Sequence, residues 1–132
     1  MYNFNMCEKF KNLKNTEYDI ALLLNKKGIL SANELQEILK VDKATIYRNL
    51  KSLIKKNIIR KVSAKKSFYE LNCNIHNPIH PHFECIKCNK IYCLKPLSAE
   101  DTINISRYTN FEIHSIDIKI KGTCDECKSM DN

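Results

Sequence analysis

Two Cys-x-x-Cys pairs constrain this 132-residue chain more than any other feature of its sequence. Cys85 and Cys88 form the first pair, and Cys124 and Cys127 form the second after 35 intervening residues. Two residues between cysteines let a turn direct both sulfurs at one ion, and two such turns complete a tetrahedral zinc site. Redox chemistry is the alternative for a Cys-x-x-Cys pair, but two pairs in one small chain favour zinc. The fold must then return the C-terminus to the first pair.

The compartment decides the chemistry of the seven cysteines. The start, MYNFNMCEKF, lacks the charged-then-apolar layout of a secretory signal. No run approaches the roughly 18 apolar residues of a membrane span. We therefore expect a cytoplasmic protein that does not associate with membranes. Cysteines in a reducing compartment are thiols or metal ligands, and an odd number would leave one over in a closed disulfide framework.

Positive charge is concentrated in the first half of the chain. Residues 1–72 hold 15 Lys/Arg against 7 Asp/Glu, a net charge of +8, whereas residues 73–132 hold 7 against 8, a net charge of −1. Residues 40–66 alone contain ten basic side chains and one acidic side chain, Asp42. A local excess of this kind favours association with a polyanion such as DNA. A solvated basic face is the alternative interpretation.

The first half has the pattern of a winged helix-turn-helix. Apolar residues at helical spacing predict a helix over residues 16–27. Ser31 and Glu34 have the spacing of a capping box and mark the start of a second helix. A third helix begins near Asp42 and carries an apolar stripe formed by Ile46, Leu50, Leu53 and Ile54. Two β-rich runs, IIRKV and SFYELN, then predict a two-stranded wing.

The third helix is the candidate DNA-contacting element. In a helix-turn-helix, the N-terminal residues of the second helix meet base edges in the major groove. Arginine can bind guanine with two hydrogen bonds, and threonine methyls or aromatic rings can pack on thymine methyls. Because the apolar stripe faces inward, the residues left for DNA are Lys43, Thr45, Tyr47, Arg48 and Lys51. The lysines expected to hold phosphates are Lys55, Lys56, Lys61, Lys65 and Lys66.

The second half of the chain has a different composition and predicts a second unit. HFECIKC and KIYCL indicate two strands around the turn CNK. Residues 98–108 predict a helix with Ser98 and Asp101 in capping positions, and the alternation in residues 111–122 predicts a strand. We therefore divide the chain into a winged-helix DNA-binding domain (1–72), a hinge (73–79) and a metal-binding domain (80–132).

Candidate ligands for a second metal ion lie around the hinge. His80 and His82 are two residues apart, so a strand would place both imidazoles on one face. Glu70 and Cys73 lie just upstream, at the end of the wing, and Cys93 is a further thiol. Two exposed polar histidines are the alternative interpretation. A site built from residues of both units would fix their relative orientation when filled, so that metal could control DNA binding.

Several segments, in their order along the chain, resemble the ferric-uptake-regulator family of bacterial metal-responsive repressors. These segments are KATIYRNLKSLIKKNIIRKV, FYEL, HPHFECIKCNKIYCL, FEIHS and GTCDEC. The resemblance implies an α+β fold with an N-terminal winged helix-turn-helix and a small α/β dimerisation domain that holds a four-cysteine zinc site. It also implies a homodimer that binds double-stranded operator DNA when metal is bound. By this resemblance Tyr47 and Arg48 contact DNA, and Glu70, His80 and His82 bind the regulatory metal.

Departures from the family pattern bear on the regulatory metal. Iron- and peroxide-sensing members have a histidine just before the second helix, where this chain has Ile29 and Leu30, and peroxide sensors have an aspartate at Cys93. Zinc-sensing members have a cysteine near Cys73, although their aspartate after the third helix falls on Arg60 here. Thiolate with imidazole suits Zn²⁺ better than Fe²⁺. We predict a zinc-uptake regulator, with Fe²⁺ as the alternative metal and with regulatory ligands drawn from Glu70, Cys73, His80, His82 and Cys93.

Three functions fit these observations. The first is a metal-gated transcriptional repressor of metal-homeostasis genes, zinc-responsive or else iron-responsive. The second is a peroxide or thiol redox sensor that uses Cys73 and Cys93. The third is a zinc-binding structural or storage protein, against which the basic segment 40–66 argues. No nucleophile–base pair is visible, and thiolate–imidazole sites leave no obvious open position, so we expect neither an enzyme nor a small organic substrate.

Overall fold

Three helices and a three-stranded sheet make up the N-terminal unit, Met1–Asn77. This is a computed structural model, and it describes residues 10, 12–13, 15–72 and 80–130. The helices are α1 (Asn15–Lys27), α2 (Ala32–Leu39) and α3 (Lys43–Lys55). The strands are β1 (Ile29–Ser31), β2 (Ile59–Ser63) and β3 (Ser67–Leu71), and they pair in the antiparallel order β1-β3-β2. The predicted hinge, residues 73–79, lies outside the described residues.

Side-chain caps fix the starts of α2 and α3, as predicted. Ser31 Oγ accepts a hydrogen bond from the Glu34 backbone N–H at 3.2 Å, and Glu34 Oε1 accepts one from the Ser31 N–H at 3.0 Å. The Asp42 carboxylate accepts a hydrogen bond from the Thr45 N–H at 3.2 Å. These bonds satisfy N–H groups that have no partner within the helix. The two caps therefore confirm both predicted helix starts.

The inner face of α3 forms the centre of the core. Ile46, Leu50 and Leu53 are at most 1% exposed, and they belong to one cluster with residues of α1 and α2. The prediction that Ile54 shares this face is wrong, because its side chain is 37% exposed. Successive residues of a helix point about 100° apart. Ile54 therefore lies at the edge of the face whose centre is formed by Leu50 and Leu53.

The predicted wing is confirmed as the hairpin of β2 and β3. The two strands pair from Ile59↔Leu71 to Ser63↔Ser67. Strand β1 adds to the other edge of β3, and the sequence analysis missed it. Three residues are too few to show the alternation that identifies a strand.

The C-terminal unit, Pro78–Asn132, contains a second three-stranded sheet and two helices. Its strands are β4 (His82–Cys85), β5 (Ile91–Cys93) and β6 (Lys119–Gly122). Strand β4 is central, antiparallel to β5 and parallel to β6. The helices are α4 (Ala99–Ser106) and α5 (Asp125–Met130). The strands around the CNK turn and the capping box of Ser98 and Asp101 are confirmed, and so is the α+β fold.

The strand predicted over residues 111–122 forms only at its end. Residues 111–118 have no regular secondary structure, and β6 begins at Lys119. Ile113 and Ile116 are three positions apart, so the alternation of apolar residues breaks between them. Only Ile116, Ile118 and Ile120 keep a spacing of two, which is why the paired segment is short. No helix in the described part of the chain is long and apolar enough to cross a membrane.

Candidate metal centres and nucleic-acid interface

The four cysteines of the two Cys-x-x-Cys pairs meet in the C-terminal unit. Their sulfur atoms all lie within 4.8 Å of one another, and Cys88 Sγ is 3.8 Å from Cys124 Sγ. A tetrahedron with Zn–S distances of about 2.3 Å has edges of about 3.8 Å, whereas a disulfide requires about 2.05 Å. Four thiolates at this spacing fit a structural zinc site.

Parallel pairing of β4 with β6 brings the second cysteine pair back to the first. Cys85 ends β4 and is aligned with Gly122 of β6. Cys124 lies two residues after the end of β6, and α5 then carries Cys127 in its first turn. The parallel pairing of β4 with β6 therefore brings the C-terminus back to the first cysteine pair, as predicted.

Backbone N–H groups already favour the thiolate form of Cys85. Its Sγ accepts hydrogen bonds from the N–H of Cys88 at 3.5 Å and from the N–H of Cys124 at 3.4 Å. These two bonds lower the pKa of Cys85 to about 6. Because thiolate is the form that binds metal, the polypeptide favours the charge state that zinc requires.

Tyr92 of β5 is a neighbour of the cysteine cluster that the sequence analysis missed. A hydrogen bond with the side chain of Cys124 raises the pKa of Tyr92 to about 12. The pKa of Cys124 is lowered, first by a backbone hydrogen bond from Cys127 and then by this tyrosine. Hydrogen-bonding neighbours of this kind hold metal ligands in place. A single tyrosine in KIYCL gives no sequence signal for the role.

His80, His82 and Cys93 form a second cluster in the same unit. One ligand atom from each lies within 4.8 Å of those of the others. The β4–β5 register places His82 opposite Cys93, and the His80 and His82 ring centroids are 4.6 Å apart. Both histidines are buried, at 8% and 5% exposure, while Cys93 is exposed. Two imidazole nitrogens and a thiol sulfur are donors that bind Zn²⁺.

Two of the predicted regulatory ligands lie elsewhere along the chain. Glu70 belongs to β3 of the N-terminal unit, where its side chain is 1% exposed and its Oε1 accepts a hydrogen bond from Arg60 Nε at 2.8 Å. Cys73 lies outside the described residues. In the sequence Arg60 is a departure from a family pattern, and no local pattern predicts its ion pair with Glu70.

The outer face of α3 carries the residues predicted to contact DNA. Lys43, Tyr47, Arg48 and Lys51 are exposed, and Thr45 is partly buried. Lys43 Nζ lies 5.9 Å from the centroid of the Tyr47 ring, a cation–π distance. The Thr45 hydroxyl donates a hydrogen bond to Asp42 and accepts one from Arg48 Nη2 at 3.5 Å. The wing adds three exposed lysines, Lys61, Lys65 and Lys66.

The sequence model of the ferric uptake regulator family matches residues 10–121, which is most of the chain. The chain belongs to the ferric uptake regulator family. Members of the family are metal-responsive transcription regulators that bind operator DNA, and the predicted resemblance is thereby confirmed. Comparison with curated protein sequences gives no match.

Solved structures of several regulators share the fold. The Helicobacter pylori ferric uptake regulator, described as having three functional metal-binding sites, is 25% identical with a TM-score of 0.71, over 94% of this chain and 88% of that one. A zinc uptake regulator complexed with zinc and DNA is 22% identical with a TM-score of 0.60, over 91% and 85%. The Campylobacter jejuni peroxide stress regulator is 18% identical with a TM-score of 0.64, over 85% and 88%. The last two show a common fold alone, because their identities are low.

Proposed function

We propose that this member of the ferric uptake regulator family is a zinc-responsive transcriptional repressor of metal-homeostasis genes. It acts in the cytoplasm as a homodimer and binds operator DNA when its regulatory metal is bound. The observation that carries the zinc assignment is the cluster of His80, His82 and Cys93. The four-cysteine cluster holds a structural zinc ion that stabilises the C-terminal unit.

The donor set supports zinc over iron. A thiolate with two imidazoles matches the soft and borderline ligands that Zn²⁺ prefers, whereas Fe²⁺ regulators rely on nitrogen and oxygen donors. Ile29 and Leu30 occupy the positions where iron-sensing members have a histidine, and both lie in β1. The family resemblance supplies Glu70 as a further ligand, and Cys73 is the alternative. The fold shared with a zinc uptake regulator complexed with zinc and DNA is compatible with this assignment.

Operator binding is assigned to the outer face of α3. Its exposed residues combine a guanidinium, an aromatic ring and two ammonium groups on one side of the helix. Arg48 and Tyr47 are of a type suited to base edges, while Lys43 and Lys51 are suited to phosphates. The lysines of the wing extend the positive surface beyond the helix.

Homodimer formation is supported by apolar surface in the C-terminal unit. Helix α4 has no buried residue, and Ile103 on it is 53% exposed. After this helix, Tyr108 and Phe111 are 90% and 86% exposed. Three exposed apolar side chains within residues 103–111 are suited to a protein interface. A second copy of the chain is the occupant that the family's symmetry favours.

The proposal is tested by measuring DNA affinity as a function of metal. A fluorescence-anisotropy titration at fixed salt would use the chain's own upstream DNA and a scrambled sequence, after mild chelation that leaves the structural zinc in place. We expect buffered Zn²⁺ to tighten binding to the upstream DNA by about tenfold or more. Replacing His82 by Ala should abolish the response, while replacing the exposed His114 by Ala should leave it unchanged. A response to anaerobic Fe²⁺ alone would favour an iron regulator, and no response to either metal would contradict the proposal.

A thiol-based redox response is the second candidate, because Cys93 is an exposed thiol within the second cluster. Oxidation of this sulfur would remove a metal donor. Peroxide would then release DNA from the metal-loaded wild type but not from a Cys93→Ser variant that still responds to metal. Equal insensitivity of both proteins to micromolar peroxide would rule the redox response out.

A further inference from the structure

Three polar side chains are connected by hydrogen bonds along the first two turns of α3. Asp42 caps the helix, Thr45 lies three positions further along, and Arg48 lies three positions beyond that. The Asp42 carboxylate accepts hydrogen bonds from the N–H and from the hydroxyl of Thr45. The hydroxyl oxygen in turn accepts one from Arg48 Nη2 at 3.5 Å. The Thr45 hydroxyl therefore connects a carboxylate with a guanidinium.

Asp42 determines the direction in which the Thr45 hydroxyl donates. A threonine hydroxyl has one proton to give and lone pairs that accept. An ionised carboxylate can only accept, so the proton goes to Asp42. The lone pairs of the hydroxyl oxygen then face Arg48, whose guanidinium can only donate. Hydrogen bonds that follow one another with the same polarity strengthen each other.

The negative charge of Asp42 is unusual for its surroundings. Asp42 is the one acidic residue, against ten basic residues, in segment 40–66, and it weakens the attraction of this segment for DNA phosphates. Serine or asparagine would cap a helix about as well without the charge. The pKa of Asp42 is lowered mainly by its hydrogen bonds from Thr45 and also by the positive charge of Arg48. The charge thus acts on the arginine as well as on the helix start.

We propose that Thr45 is a positioning residue for operator recognition, which holds Arg48 in the orientation in which its guanidinium reads a base. This inference rests on the proposed function, in which Arg48 contacts a base edge. The bond to Thr45 uses one of the five N–H donors of Arg48, and the others suffice for two bonds to guanine.

Positioning favours the operator over unrelated DNA. Fixing an arginine side chain on a guanine costs conformational entropy, and the cost is smaller when the side chain is already restrained in the free protein. Contact with a phosphate of unrelated DNA does not require that orientation. Thr45 therefore contributes to sequence discrimination through Arg48, without touching a base itself.

The test compares Thr45→Val and Thr45→Ser in the metal-loaded full chain. Valine keeps a methyl group but removes the hydroxyl, whereas serine keeps the hydroxyl and removes the methyl group. Affinities for the chain's own upstream DNA and for a scrambled sequence are measured by fluorescence anisotropy at fixed salt in saturating Zn²⁺. Thr45→Val should reduce the ratio of the two affinities by about three- to tenfold, and Thr45→Ser should keep the ratio within about twofold of the wild type.

Two further variants show whether Thr45 acts through Arg48. In an Arg48→Ala background, Thr45→Val should change the affinity ratio no further, which is the result of a double-mutant cycle for coupled residues. Asp42→Asn retains a helix cap. An asparagine that accepts from the Thr45 N–H turns its NH₂ group toward the hydroxyl and competes with Arg48 for the oxygen. This variant should therefore lower the affinity ratio as Thr45→Val does.

Each outcome has a definite meaning. An unchanged affinity ratio in Thr45→Val, or a loss that persists in the Arg48→Ala background, overturns the inference while the proposed function stands. A loss in Thr45→Ser but not in Thr45→Val shows that the methyl group contacts a base and overturns the inference equally. Should Thr45→Val not fold, an unchanged ratio in Asp42→Asn overturns it. If the wild type does not distinguish the two DNAs, the proposed function fails and the inference fails with it.

Discussion

Cys88 Sγ lies 3.8 Å from Cys124 Sγ, although the two residues are 36 positions apart in the chain. Between them lie β5, α4 and β6, so this one contact closes most of the C-terminal unit. Closing a chain segment of this length costs conformational entropy on folding. Zinc binding offsets this cost, because it contributes its free energy only when the four sulfurs are together. Zinc binding and the folding of the C-terminal unit are therefore coupled.

Replacing Cys124 by Ser should remove the structural zinc and destabilise the C-terminal unit. The Cys124 side chain is buried, and three remaining thiolates hold zinc less tightly than four. We expect the zinc content to fall by one equivalent and the thermal transition of this unit to move to lower temperature or disappear, measured by elemental analysis and circular dichroism. Cys93→Ser is the matched control once mild chelation has removed exchangeable metal from all the proteins, since Cys93 lies outside the four-cysteine cluster. Retention of zinc by the Cys124 variant would contradict this prediction.

Tyr92→Phe should loosen the structural zinc without unfolding the unit. The variant removes the hydroxyl that hydrogen-bonds to Cys124 and keeps the ring, whose centroid is 6.3 Å from that of Phe83. Loss of such a neighbour lowers metal affinity by about 10- to 100-fold. The measurement is the rate and extent of zinc transfer to a competing chelator. Tyr108→Phe, at an exposed position, is the control, and equal transfer from both variants would argue against a role for the Tyr92 hydroxyl.

Arg48→Ala should weaken binding to the operator more than binding to unrelated DNA. A bidentate arginine–guanine contact is worth about 1–3 kcal/mol of discrimination. Lys51→Ala, one turn further along α3, should instead weaken binding to all sequences and reduce the salt dependence by about one unit of slope. Both effects are read from anisotropy titrations at several salt concentrations in saturating Zn²⁺. If Arg48→Ala instead weakened binding to all sequences as Lys51→Ala does, Arg48 would contact a phosphate and not a base.

Much of the fold and of the zinc site was predictable because the signals are local. Capping residues at Ser31 and Asp42 mark helix starts through bonds that span three residues, and the Cys-x-x-Cys spacing encodes a turn. The two β-rich runs, IIRKV and SFYELN, predicted the wing for the same reason. Each of these inferences required only a few consecutive residues and the geometry of one element.

The features that the sequence did not reveal depend on contacts between elements. Arg60 and Glu70 are ten positions apart and meet only because β2 and β3 pair in one particular register. Tyr92 reaches Cys124 through the order of strands in the second sheet, which no local pattern specifies. Strand β1 forms only because it pairs with the edge of β3. Residues 111–118 pair with no strand among the described residues, so the predicted strand does not form there.

Asp42 should make the stability of the N-terminal unit depend on acid pH. The hydrogen bond from the Thr45 side chain, together with that from the Thr45 N–H, holds the pKa of Asp42 below its usual value of 3.8. A lowered folded-state pKa means that this stabilisation is present above the unfolded-state pKa and is lost as the pH falls through the folded-state pKa. Asp42→Ala should therefore lower the urea midpoint of unfolding near neutral pH. The difference in midpoint between this variant and the wild type should become smaller at pH values below the usual pKa of aspartate. Asp42→Asn keeps a good cap without the titrating acid, so its difference from Asp42→Ala should stay constant over the same pH range. If the difference in urea midpoint between the wild type and Asp42→Ala does not change with pH, the cap does not require the ionised carboxylate.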